Sequence, residues 1–271
     1  MVRSLLPALS ESLPLEGLYL SLNLHREAGE GDIHIYSNYV ASLDGRISRF
    51  NPETCDYEVP KSLANARDWQ LYQELAAQSD ILITSARYFR QLSKGTAQDM
   101  LPVGNKFEEL KQWRSDQGLK AQPDVAIISN SLDIPNVAFE QVQDRSIYVF
   151  TSENAPQDKR ALLESQGVTV VVAGEQSVEG ESLRGALIDL GFKSAYMIAG
   201  PQVHRTLIEA DVLDSLFLTT GFTLMGSENS HGFCEGVLSM SHAMQLQQLY
   251  LDEKGEQMFA HYHLKGDVER S

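Results

Sequence analysis

From Asp124 to Asp214 the chain alternates short apolar runs with amphipathic segments of helical length, and few architectures accommodate that order. Asp124–Ser129, Ser146–Phe150, Val168–Val172 and the run from Ser194 up to the Gly200-Pro201 turn read as short apolar strands of a sheet covered on both faces. Between them lie helices over Pro156–Gln166, capped by Gly167, and Glu181–Leu190, capped by Gly191. A third, of under three turns, starts at Pro201. Strands alternating with helices in this way imply an α/β fold with a mostly parallel sheet covered on both faces. Upstream, Ile33–Val40 is a first strand, Lys61–Ala77 a helix and Asp80–Thr84 a buried strand. Ser93–Gln122 reads as a loop with a surface helix around Phe107–Trp113, and Asp133–Asn136 as a turn. Val212–Thr220 is a further strand, followed by a Gly- and Ser-rich excursion from Phe222 to Glu235. Met244–Leu251 and Gln257–Leu264 alternate around Asp252-Glu-Lys-Gly255 and read as an antiparallel edge hairpin.

The 271 residues, 42% hydrophobic, suffice for one large domain over residues 31–271, with residues 1–30 as an N-terminal extension. A net charge of -15 argues against nucleic acid or an anionic membrane as partner, since both need a basic face. It leaves room for a small anionic ligand held by a few local donors. There is no apolar run of membrane length and no secretory signal pattern at the N-terminus. Cys55 and Cys234 stand far apart and read as two free thiols, so a cytoplasmic location is expected.

Four segments fall at or just after the carboxyl ends of expected strands. Gly200-Pro201 starts a helix whose free N–H groups and dipole suit a phosphate, although the same pair serves many proteins simply to enter a helix. Val40–Ser48 offers Ser42 and Asp44 around a bend at Gly45; the alternative is a turn in which Asp44 bonds nearby backbone N–H groups. In Thr84–Phe89, small Ser85 and Ala86 permit close approach and Arg87 can pair with phosphate, or can be an ordinary surface arginine. Thr151-Ser152 bring hydroxyls that bind phosphate or cap a helix. The histidines have no metal-ligand spacing, so no metal is expected, and neither a Walker loop nor a Gly-x-Ser-x-Gly elbow occurs.

Taken in order, Val40–Ser48, Gln78–Ala86, Thr151-Ser152, Ile198–Pro201, Val212–Leu216 and Leu224–Gly226 resemble the riboflavin-biosynthesis reductase domain, the C-terminal half of the bacterial bifunctional deaminase-reductase. The zinc patterns of the deaminase half do not occur. The resemblance implies a dihydrofolate-reductase-like fold closed by a C-terminal antiparallel hairpin, and a homodimer. It implies NADPH as hydride donor and reduction of a ribosylamino-pyrimidinone phosphate to its ribitylamino product. On this chain Val40, Ala41, Ser85, Ala86, Arg87, Thr151, Ser152, Ala199, Gly200 and Pro201 would line the cofactor. Ser42, Asp44 and Arg46 would contact substrate, with Asp44 as catalytic proton donor. The chain departs from the family pattern at Ser85 and Ala199, where glycines are expected, and at Tyr88, Ile198 and Ser215. A paralogue reducing another carbonyl or a pterin-like compound, and a catalytically silent nucleotide-binding protein, are the alternatives.

Overall fold

The computed structural model describes residues 1–97, 107–142, 144–226 and 228–264. Seven parallel strands lie side by side, in the order β11 (Ser215–Gly221), β3 (His34–Ser42), β10 (Ser194–Met197), β6 (Ile81–Ser85), β7 (Asp124–Ile128), β8 (Ile147–Thr151) and β9 (Thr169–Val172). Beyond β11 the sheet continues antiparallel through β14 (Gln257–Leu264), β13 (Met244–Asp252), β1 (Val2–Leu6) and β2 (Ala8–Leu13), making eleven strands.

Six α-helices are described: α1 (Ala66–Ala77), α2 (Ala86–Ser93), α3 (Glu108–Asp116), α4 (Gln157–Ser165), α5 (Gly180–Asp189) and α6 (Pro201–Glu209). Successive side chains of a strand point to opposite faces, so neighbours such as Ile35 and Tyr36 serve different cores. Tyr36, Leu82, Tyr196 and Phe217 pack with Leu71 and Leu75 of α1. Ile35, Ile83, Met197 and Leu216 pack with Leu183 and Leu187 of α5 and Leu207 of α6. Each such side chain contributes roughly 1.5–3 kcal/mol by leaving water, which is why the strands read as unbroken apolar runs.

The first thirty residues are not the expected extension outside the core. Strand β1 pairs with β13, Arg3 opposite Leu251, and Val2, Leu15, Leu18, Tyr19 and Leu24 are buried. Polar side chains on the inner face of α1 hold this segment. Glu74 accepts the N–H groups of Gly17 and Tyr19 at 2.7 and 2.9 Å, while Gln78 accepts that of Leu24 at 2.9 Å and donates to the Tyr19 carbonyl at 3.0 Å. The C-terminal hairpin is therefore interior, with β1 and β2 beyond it. A second antiparallel sheet, unexpected from the sequence, joins β12 (Ser230–Gly232), β4 (Arg46–Asn51) and β5 (Asp56–Glu58). Helix α1 starts later than its apolar pattern suggests, because Asn65 accepts the N–H groups of Arg67 and Asp68 as N-cap. Residues 98–106 of the expected loop, Ser227 of the Gly- and Ser-rich excursion, and residues 265–271 of the expected domain lie outside the described part. Among the described residues no helix is long and apolar enough to cross a membrane.

Candidate active site

The sheet order brings three of the four segments to one edge. β10 lies between β3 and β6, so the chain leaving Met197 through Ile198-Ala199-Gly200 emerges between Ser42 and Ser85. Helices α2 and α6 start there, and neither N-cap, Ser85 or Gly200, makes a side-chain capping bond. Each helix end carries partial positive charge on its first-turn N–H groups. Gly200 is exposed, and a Cβ built there would meet nothing within 4 Å. Two uncapped helix starts on adjacent strands form a cradle for an anion. Thr151-Ser152 ends β8, two strands beyond β6. Both residues are buried, and the Thr151 hydroxyl has no partner among the described residues.

The turn after β3 is tied to the loop after β11. Gly45 takes a left-handed φ of 75°, which lets the chain reverse into β4. The Ser42 hydroxyl donates to Asp44 Oδ1 at 2.6 Å and accepts the Arg46 N–H at 3.0 Å. Asp44 also accepts the N–H groups of Met225 and Gly226, at 3.0 and 2.9 Å, while Arg49 donates to the Met225 carbonyl at 2.8 Å. The Ser42 hydroxyl and the two amides hold the Asp44 carboxyl well below the usual carboxylate range. The three donors favour the ionised carboxylate in this arrangement. Asp44, expected from the resemblance to be the proton donor, here also ties the turn to the 222–226 loop.

Arg87, at the start of α2, is paired with Asp56 of β5, whose other oxygen takes the Gln91 amide at 2.7 Å. The small sheet is thereby docked on α2. Arg46 is half-buried, and its Nε has no partner among the described residues. Val40 is half-buried, while Ala41, Ala86 and Ala199 are buried and Pro201 is half-buried. The Ala199 carbonyl accepts the Tyr39 hydroxyl at 3.2 Å, and the Tyr39 ring lies 4.8 Å from that of His204. His204 Nδ1 is 2.7 Å from the Phe233 carbonyl, which only accepts, so Nδ1 carries the proton and Nε2 accepts from the Ser37 hydroxyl at 3.2 Å. Burial lowers the His204 pKa to about 4, so the imidazole is neutral at pH 7. Tyr39, His204 and Asp56 were not singled out from the sequence. A lone histidine inside an amphipathic helix and an aspartate at the start of a three-residue strand carry no pattern that marks them.

The opposite edge of the sheet holds a cleft of about 340 Å³ lined by Glu27, His34, Asp211, Asp214 and His263. It lies at the amino ends of the parallel strands, away from the helix starts. No group of three or more His, Cys, Asp or Glu among the described residues stands where it could hold a metal ion.

The cradle suits a dinucleotide: N–H groups of α2 and α6 for the diphosphate, and exposed Gly200 for close approach. Ser85 is half-buried, Ala199 is buried, its carbonyl accepting the Tyr39 hydroxyl, and the adjacent Gly200 is still a glycine.

No curated protein matches the chain. Its fold is similar to that of a pyrimidine reductase-like protein from Corynebacterium diphtheriae, with a TM-score of 0.71 at 18% identity over 94% of this chain and 100% of that one. It is similar to the riboflavin biosynthesis reductase of Saccharomyces cerevisiae, with a TM-score of 0.58 at 15% identity over 92% and 99%. Acinetobacter baumannii RibD gives 0.60 at 15% identity over 87% of this chain and 58% of that protein, so this chain spans little more than half its length. The model of the RibD C-terminal domain matches residues 33–258, and with the dihydrofolate-reductase-like architecture in place the chain belongs to that family of riboflavin-biosynthesis reductase domains.

Proposed function

We propose that the chain is an NADPH-dependent reductase acting on a ribosylamino-pyrimidinone phosphate. One observation carries this reading: two uncapped helix starts, after Ser85 and Gly200, stand on adjacent strands at the edge that also presents the Ser42–Arg46 turn. The first-turn N–H groups of α2 and α6 would hold the cofactor diphosphate, and Arg87 its additional phosphate. When bound, the cofactor supplies a hydride to the ribosyl carbon, giving the ribityl product.

The chain's part is positional. Asp44 fixes the turn against Met225 and Gly226, and the buried Ser42 hydroxyl braces it from within, so Arg46 would meet the substrate from a rigid base. The hydrogen bonds of Tyr39 to Ala199, and of His204 to Ser37 and Phe233, lock β3, β10 and α6 together beneath the cradle. The test is NADPH oxidation with 5-amino-6-(5-phosphoribosylamino)uracil. Turnover with the ribitylamino product supports the reading. NADPH binding without turnover moves it to another carbonyl substrate, and neither binding nor turnover ends it.

A further inference from the structure

The cleft at the amino ends of the parallel strands has no part in the reading above, and its lining is one-sided. Glu27, Asp211 and Asp214 bring carboxylates and His34 and His263 imidazoles, Leu213 and Leu264 form apolar walls, and no lysine or arginine lines it. A volume of about 340 Å³ admits a small molecule whole. The carboxylates are only partly satisfied. Asp214 Oδ2 accepts the Ile35 N–H at 2.6 Å and Arg184 at 3.1 Å, which leaves Oδ1 without a partner among the described residues. Arg184 is itself shared with Asp32 at 2.9 Å. Asp211 Oδ1 meets His242 Nδ1 at 2.8 Å, and Glu27 is exposed. Carboxylates gathered in a concave, partly apolar site attract a cation, because the walls focus their field. Among the described residues no three His, Cys, Asp or Glu converge to hold a metal ion, so the charge to be matched is that of an organic ammonium group.

A buried relay sets what stands beside that charge. His34 is 8% exposed where it lines the cleft, and its Nε2 turns inward to Ser215 Oγ at 3.2 Å. The same hydroxyl is 3.2 Å from His261 Nε2. A serine hydroxyl has one proton, so it donates to one ring and accepts from the other. His261 Nδ1 is buried without a partner among the described residues, and an orphaned N–H is rarer inside proteins than a bare acceptor. The His261 proton therefore sits on Nε2 and goes to Ser215, which donates to His34 Nε2. Burial lowers the His34 pKa to about 4, so at pH 7 its ring is neutral, with its single proton on Nδ1. No described residue accepts that N–H. The cleft thus holds a spare donor, on a side chain more than nine-tenths buried, together with spare carboxylate oxygens.

We propose that this cleft binds a small hydroxylated amine, an amino sugar or amino alcohol, whose ammonium group lies among Glu27, Asp211 and Asp214 and whose hydroxyl oxygen accepts the His34 Nδ1–H. An ammonium group alone would leave that N–H bare, and a neutral sugar would leave the carboxylates bare. The site is separate from the edge that carries the Asp44 turn, and its occupancy does not depend on the chain being a reductase.

The test titrates the full-length protein with glucosamine, glucose and magnesium chloride, followed by amide NMR shifts and calorimetry, in the wild type and in Asp211→Asn. Asp211 is exposed and takes a left-handed φ of 51°, which asparagine also adopts, so the variant should fold. Glucosamine should move the amides of His34, Asp211 and Asp214 with a Kd of about 1 mM or tighter. Asp211→Asn should weaken it by about tenfold, the worth of one charge-assisted contact. Glucose should bind at least about tenfold more weakly than glucosamine, and magnesium should leave these amides unmoved. Ring-nitrogen NMR of His34 should show the proton on Nδ1, with its resonance moving when glucosamine binds. Cleft amides that stay still at about ten times that concentration overturn the proposal. So does an equal response to glucose or to magnesium, equal binding by Asp211→Asn, or a His34 proton found on Nε2.

Discussion

Asp44 accepts the backbone N–H of Gly226 at 2.9 Å, joining the turn after β3 to the loop after β11 across most of the chain. The same carboxylate takes the Met225 N–H and the Ser42 hydroxyl, so one exposed side chain ties the turn to the loop at that end of the edge. Asp44→Ala should free the 222–226 loop while leaving the core intact. Amide exchange at Met225 and Gly226 should accelerate, and kcat/KM should fall by roughly tenfold or more, with the melting temperature little changed. Unaltered exchange at both amides would show that other contacts hold the loop.

Arg87 is expected to read the additional phosphate of NADPH while Asp56 restrains it. Arg87→Ala should weaken NADPH binding by about tenfold, the worth of one charge-assisted contact, and leave NADH binding nearly unchanged. Asp56→Asn should tighten NADPH binding relative to NADH by freeing the guanidinium. Equal losses of both cofactors in Arg87→Ala would place Arg87 outside the phosphate site.

Three buried histidines make the fold acid-sensitive. Burial lowers the pKa of His34 and His204 to about 4 and that of His261 to about 3, against 6.5 when free. Between those values the unfolded chain binds protons that the folded chain does not, so stability is complete above about pH 6.5 and drains away as the pH falls toward 4. Asp68, raised to about 6, acts in the opposite sense between its free value and 6 and offsets part of the loss. Chemical denaturation at about pH 7.5 and about pH 5 should show clearly lower stability at the acid value, and His204→Gln should shrink the difference. Equal stability at both would mean that the histidines charge without penalty.

Much of the fold was legible because the central residues of β6, β7, β8 and β10 are buried between the helical layers and are therefore mostly apolar. The site was legible in part. Glycine, proline and small residues at strand ends announce helix starts, so Ser85, Gly200 and Pro201 could be placed on one edge before any contact was known. The placement of residues 1–30 was not legible, because it depends on Glu74 and Gln78, polar residues on a helix face that sequence patterning assigns to solvent or to chance. Asp68 was hidden for the same reason: a carboxylate in the first turn of a helix reads as a favourable charge at its positive end, and only packing shows that it is buried. The Asp56–Arg87 pair joins a strand and a helix that carry no common signal, and β4, β5 and β12 are too short and too polar to announce themselves.

The account rests on a nucleotide meeting the chain at Gly200, and titration of NADPH into the wild type and Gly200→Ala side by side tests this most directly. The backbone there is extended at φ -72° and a Cβ meets nothing within 4 Å, so the variant should fold with undiminished stability. The wild type should bind NADPH with micromolar affinity, with amide shifts centred on Ser85–Arg87 and Gly200–Val203, and the variant should bind at least about tenfold more weakly. Equal binding by the two proteins, or shifts confined to the His34–Asp214 edge, would contradict it.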